Sequence, residues 1–125
     1  MIIDFTNKQP LNESWLSMLG SWSKSLLKHM YGDGVQVVAN VTQPTITSLV
    51  KEEDVELSSN FILRGKYSDV KSYAEAIVRE KEYLDAIMEF GKEHPQTTKA
   101  KERLDTAVYR FESVTGLRWP FKDEE

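Results

Sequence analysis

The sequence predicts an α+β fold in which a small antiparallel sheet is combined with an N-terminal amphipathic helix and a long C-terminal antiparallel helical hairpin. Two long stretches in the second half repeat their apolar residues every three or four positions, the period of one helix face, and a glycine follows each of them. A similar stretch lies near the N-terminus. Between these stretches, β-branched segments alternate apolar and polar residues, as strands with one buried face do.

Length and composition predict an ordinary globular chain. Its 125 residues are the length of a single domain, which we divide into a helix with a small sheet (1–65), the hairpin (66–116) and an aromatic and acidic tail (117–125). The net charge of −4 argues against a broad face for duplex nucleic acid. Because the sequence contains no cysteine, disulfides and thiolate metal sites are excluded.

In the first third of the chain, the residue pattern predicts a short extended segment at residues 2–5, followed by one helix. Asn12 is a suitable N-cap for a helix that runs from about Glu13 to Met30. Trp15 and Trp22 are seven residues apart and therefore lie on the same apolar side. We interpret this as a core helix whose tryptophan edges are left for an oligomer contact. The alternative is a helix that lies on a membrane or in the groove of a partner.

The middle of the chain predicts a small sheet. Val35 to Thr42 alternates apolar and polar residues, Thr45 to Val50 is rich in β-branched residues, and Asn60 to Arg64 forms a third strand. Val55 to Leu57 is a candidate edge segment. Strands that follow one another at this spacing predict a mainly antiparallel meander, with the helices covering one face.

The second half predicts two helices of matched length. The first runs from about Ser68 to Phe90 and ends at Gly91; Pro95 then suits the first turn of the second, which Gly116 closes. The short connection makes antiparallel neighbours the expected arrangement. The apolar stripe of the second helix consists of Ala100, Leu104, Ala107, Val108, Phe111 and Val114. We expect this stripe to be buried against the first helix.

The C-terminal tail carries two large aromatic residues, Trp119 and Phe121, on either side of Pro120. We favour the interpretation that both rings fold back onto the helices and close the core. The alternative is a docking peptide for a partner, since tryptophan and phenylalanine are frequent anchors at interfaces. The residues predicted to form an interaction site are therefore Trp15, Trp22, Trp119 and Phe121.

No residue pattern points to catalysis, a cofactor or a metal. The two histidines, His29 and His94, fall in different predicted elements, and no Gly-x-Ser-x-Gly elbow occurs. We therefore predict a protein that is not an enzyme, with no catalytic, cofactor-binding or metal-ligating residues. We also expect no signal peptide and no transmembrane segment, because the N-terminus lacks a basic stretch before a long apolar run.

The C-terminal half resembles small proteins encoded by tailed bacteriophages. The resemblance rests on the runs Tyr83-Leu84, Phe90-Gly91, His94-Pro95, Leu104-Asp105, Phe111-Glu112 and Thr115-Gly116-Leu117-Arg118-Trp119-Pro120-Phe121. It does not extend to the first half and brings no catalytic residues. It implies a virion structural or assembly component, located in the virion or the host cytoplasm, that binds protein partners or forms a homo-oligomer. The alternative is a small phage regulator that binds and inhibits a host protein or nucleic-acid machinery.

Overall fold

The computed structural model describes residues 2–6, 8–29, 35–39 and 58–122. Their elements are β1 (Ile2–Asp4), α1 (Glu13–His29), β2 (Val35–Ala39), β3 (Ser58–Gly65), α2 (Tyr67–Phe90) and α3 (Pro95–Thr115). Within this part of the chain, the predicted combination of a small sheet, an N-terminal helix and a helical hairpin is confirmed. The predicted strands at Thr45–Val50 and Val55–Leu57 lie outside the described residues, as does the end of the strand predicted to reach Thr42.

The sheet is parallel, so the predicted antiparallel meander is wrong. The strand order is β1-β3-β2, and β3 pairs in parallel with both of its neighbours. The physical reason lies in the connections. α1 carries the chain from one edge strand to the other, and residues 40–57 separate β2 from β3. A connection of about a dozen residues or more lets successive strands run in the same direction.

The sheet buries one face against the helices. Ile3 of β1 lies opposite Leu63 of β3, and both side chains are fully buried. Arg64, the next residue along β3, points to the other face and is exposed. Phe5 then packs against Gly65, where an added Cβ would lie 2.9 Å from the Cβ of Phe5. The close contact and the φ of +148° both require glycine at the end of β3.

The hairpin is antiparallel, as predicted. Near the open end, Arg110 of α3 pairs with Glu75 of α2 at 3.0 Å. Near the connection, the Thr97 hydroxyl donates a hydrogen bond to the Ala86 carbonyl at 3.2 Å. Contacts at both ends show that the two helices run alongside each other over most of their length.

Burial follows the predicted stripe of α3 with one exception. Leu104 and Phe111 are fully buried, which confirms that they form the seam of the hairpin. Val114 was predicted to belong to this stripe but is 41% exposed, so that part of the prediction is wrong. Val114 lies three residues beyond Phe111, whereas Thr115, four residues beyond, takes the buried position in the last turn.

Local side chains and glycine cap several helix ends, whereas Lys66, the N-cap of α2, makes no side-chain capping hydrogen bond. The Trp15 amide donates to the Asn12 side chain at 2.9 Å, which confirms Asn12 as the N-cap of α1. At the start of α3, Nδ1 of His94 accepts from the Gln96 amide at 3.0 Å. Gly116 ends α3 in the left-handed conformation, with a φ of 75°.

Candidate interaction site

The described part of the tail, residues 117–122, folds back onto its own chain. Trp119 is 1% exposed and Phe121 is 5% exposed. The Trp119 ring packs edge-on against Phe111, with ring centroids 5.2 Å apart, and lies 5.9 Å from Tyr73. Phe121 packs edge-on against Trp119 at 5.8 Å. This confirms the favoured interpretation of the tail, in which its aromatic residues close the core.

Two carboxylates hold the tail in place. The indole N–H of Trp119 donates to Oε1 of Glu80 at 2.9 Å, in a buried position. The Trp119 backbone amide donates to Oε2 of Glu112 at 2.9 Å, and Nζ of Lys122 reaches the other oxygen at 2.9 Å. The tail is therefore fixed by charge-assisted hydrogen bonds as well as by apolar contact.

Sequence reasoning missed both carboxylates, because glutamates on a helix are usually solvated. In the sequence, only the position of Glu80 indicated a buried carboxylate. It lies three residues after Ile77 and three before Tyr83, within the apolar stripe of α2. A charged residue in such a stripe needs a buried partner, and the tail supplies one.

The two tryptophans of α1 differ in exposure. Trp15 is 7% exposed and packs edge-on against Phe5, with ring centroids 6.4 Å apart. Trp22 is only partly buried and meets Trp15 in a T-shaped contact at 6.3 Å. Of the four residues predicted to make contacts, Trp15, Trp119 and Phe121 thus belong to the core, and Trp22 retains accessible surface.

An exposed apolar surface continues from Trp22 along α1. Met18, one turn before Trp22, is 46% exposed, and Leu11, just before the helix, is 99% exposed. We call Met18 and Trp22 the α1 face. Ser14 and Ser21 are exposed beside it and add little bulk. Sequence reasoning identified Trp22 but did not single out Leu11, which precedes the helix, or Met18, which it left outside the apolar side of α1.

A groove lies elsewhere on the surface, between α1, α2 and the tail. Its volume is about 350 Å³. Its walls are formed by Lys24, Leu27, Glu80, Tyr83, Leu84, Ile87, Lys92 and Phe121. We call this feature the groove.

The buried polar groups are engaged in structural contacts. The Ser23 and Tyr73 hydroxyls lie 2.7 Å apart and join α1 to α2. Burial raises the pKa of Tyr73 well above its ordinary value, and the hydrogen bond to Ser23 opposes this rise. Asp69, which is 2% exposed, pairs with Lys8 at 3.0 Å and ties the segment before α1 to the start of α2.

Two further properties concern the described part of the chain only. In residues 2–6, 8–29, 35–39 and 58–122, no three histidine, aspartate or glutamate side chains are grouped so that they could hold a metal ion. None of the helices in the same ranges combines the length and apolar character needed to cross a bilayer.

Comparison of the chain with known protein families, with curated proteins and with solved structures finds no match.

Proposed function

We propose that this chain is a non-catalytic protein-interaction protein that assembles with copies of itself, and that it serves as a structural or assembly component of a tailed bacteriophage. The phage assignment rests on the sequence resemblance in the C-terminal half. The argument for self-assembly rests on a separate observation, the α1 face, and is made without the resemblance.

The α1 face has the composition of an interface centre. Tryptophan and methionine are enriched in such centres, and tryptophan is frequent among the residues whose truncation costs most binding energy. Trp22 is backed by Trp15, so its exposed edge is held in a defined orientation. A pre-oriented ring loses little conformational entropy when a partner covers it.

A second copy of the same chain suits this surface. Ser14 and Ser21 beside Met18 allow another helix to approach closely. Two copies of α1 packed antiparallel through this face would cover Met18 and Trp22 of both chains. Such a pair has twofold symmetry, the commonest symmetry of soluble homo-oligomers.

Sedimentation velocity over a wide range of protein concentrations tests the proposal. We expect the wild-type chain to sediment as an oligomer with a defined number of copies. Met18→Lys should shift the protein toward monomer, because a cation would then be buried in the interface. Met88→Lys is the matched control, since Met88 is 76% exposed on α2 and lies outside the α1 face.

Two results would contradict the proposal. One is a wild-type chain that stays monomeric at every concentration, which would favour the alternative of a small regulator. The other is an oligomer that Met18→Lys and Met88→Lys affect equally, which would place the contact away from the α1 face. Circular dichroism of each variant confirms that its fold is retained.

A further inference from the structure

The groove has the size and lining of a small-molecule site. Ligand pockets usually enclose about 300–1,000 Å³ and are lined mainly by apolar groups with a few polar ones. The groove encloses about 350 Å³. Leu27 of α1, Leu84 and Ile87 of α2, and Phe121 of the tail give it an apolar wall on three sides. Because these walls come from three separate elements, the space suits a compact ligand better than the long face of a partner helix.

The exposed charges of the groove are positive. Lys24 of α1 and Lys92 of the connection between α2 and α3 line it, and both side chains are exposed. Lys24 is already engaged in a contact within the chain. Glu80 also lines the groove, but its carboxylate is buried and accepts the indole N–H of Trp119. A ligand that enters from solvent therefore meets the exposed Lys92 side chain beside the apolar wall.

We infer that the groove binds a small apolar anion, specifically a free aliphatic carboxylate. Its hydrocarbon part would cover Leu84, Ile87 and Phe121, and its carboxylate would lie at the mouth beside Lys92. Burial of the hydrocarbon would supply most of the affinity, and the lysine would select the sign of the charge. This site is separate from the α1 face, because Lys24 and Leu27 lie on a different side of α1 from Met18 and Trp22.

The test compares two probes with the same hydrocarbon chain and opposite charge. The full-length chain, labelled with ¹⁵N, is titrated with decanoate below its micelle concentration, and amide shifts are followed by NMR. We expect saturable shifts at the residues that line the groove. Decyltrimethylammonium, the cationic counterpart, should bind at least several-fold more weakly, since Lys92 would repel it.

A pair of variants isolates the role of the cation. Lys92→Glu should raise the dissociation constant for decanoate by about three- to tenfold, as expected when an exposed attraction becomes a repulsion. Lys99→Glu makes the same charge change at an exposed site on α3 outside the groove and should leave the constant unchanged. Decanoate shifts located elsewhere, equal affinity for the two probes, or equal effects of the two variants would each overturn the inference.

Discussion

At the scale of single residues, the buried hydrogen bond between Trp119 and Glu80 should contribute measurably to the stability of the fold. Trp119→Phe keeps an aromatic ring but removes the N–H that donates to the carboxylate at 2.9 Å. A hydrogen bond to a charged group contributes about 1.5–3 kcal/mol, so the free energy of unfolding should fall by that amount. Urea denaturation measures the change.

Trp22→Phe provides the matched control for Trp119→Phe. Trp22 is only partly buried, so the same substitution should cost less than about 1 kcal/mol. If the two variants lost equal stability, the contact between the tail and Glu80 would not contribute as the geometry indicates.

Because Tyr73 is buried, we expect the stability of the fold to decrease at alkaline pH. Burial raises the pKa of Tyr73 in the folded chain, so the folded state keeps the phenol proton at pH values where the unfolded state loses it. The stabilisation is therefore complete below about pH 10, the ordinary tyrosine pKa, and is lost as the pH rises above it. The loss should reach about 1.4 kcal/mol for each pH unit above 10.

Denaturation of two variants between pH 8 and 11 separates this contribution from that of other groups. Tyr73→Phe should be less stable at neutral pH, because the Ser23 hydroxyl loses its partner, but should show a shallower alkaline decline. Tyr109→Phe, at a side chain that is 74% exposed, should keep the wild-type decline. An unchanged slope in Tyr73→Phe would contradict the account.

At the scale of elements, we expect substitutions between the two hairpin helices to cause the largest loss of stability. Leu104 is fully buried between α2 and α3, and replacing such a leucine by alanine costs about 2–5 kcal/mol. Val114→Ala, at a side chain that is 41% exposed on the same helix, should cost much less. Thermal denaturation checks both variants. An unmoved midpoint for Leu104→Ala would show that this stripe is not a core face.

The helices could be predicted from the sequence to within one or two residues, whereas the direction of the strands could not. Helix periodicity is local, and caps such as Asn12 and Gly116 mark the ends within one turn. Pairing of strands is not local, because β1 pairs with a strand about 60 residues later in the chain. Alternation of apolar residues indicates which face of a strand is buried but does not indicate its neighbour or its direction.

The same distinction explains the outcome for the candidate site. The sequence predicted Trp15, Trp22, Trp119 and Phe121 as interaction residues, because bulky aromatic residues need to be covered, and three of the four are buried within the chain itself. The burial of Trp119 and Phe121 depends on how the tail packs on α2 and α3, where Glu80 and Glu112 accept hydrogen bonds from Trp119. Residue type alone does not indicate whether an aromatic side chain packs within its own chain or against a partner.

At the scale of the whole molecule, the core and the proposed interface use neighbouring sides of α1. Leu19 and Leu26 are fully buried and hold the helix on the rest of the chain. Met18 and Trp22 lie beside them and retain accessible surface. One helix can therefore stabilise the fold and present an apolar surface at the same time.

The phage origin remains a prediction from sequence resemblance.

Crosslinking between copies tests the central claim, the pairing of α1 with a second α1, most directly. The chain contains no cysteine, so Ser21→Cys introduces a single reactive thiol beside Met18 near the middle of α1. With a short bismaleimide at low protein concentration, we expect rapid formation of a covalent dimer. Ser113→Cys, at an exposed serine on α3, is the matched control and should remain monomeric. Equal crosslinking of both variants, or none at Ser21→Cys, would contradict the claim.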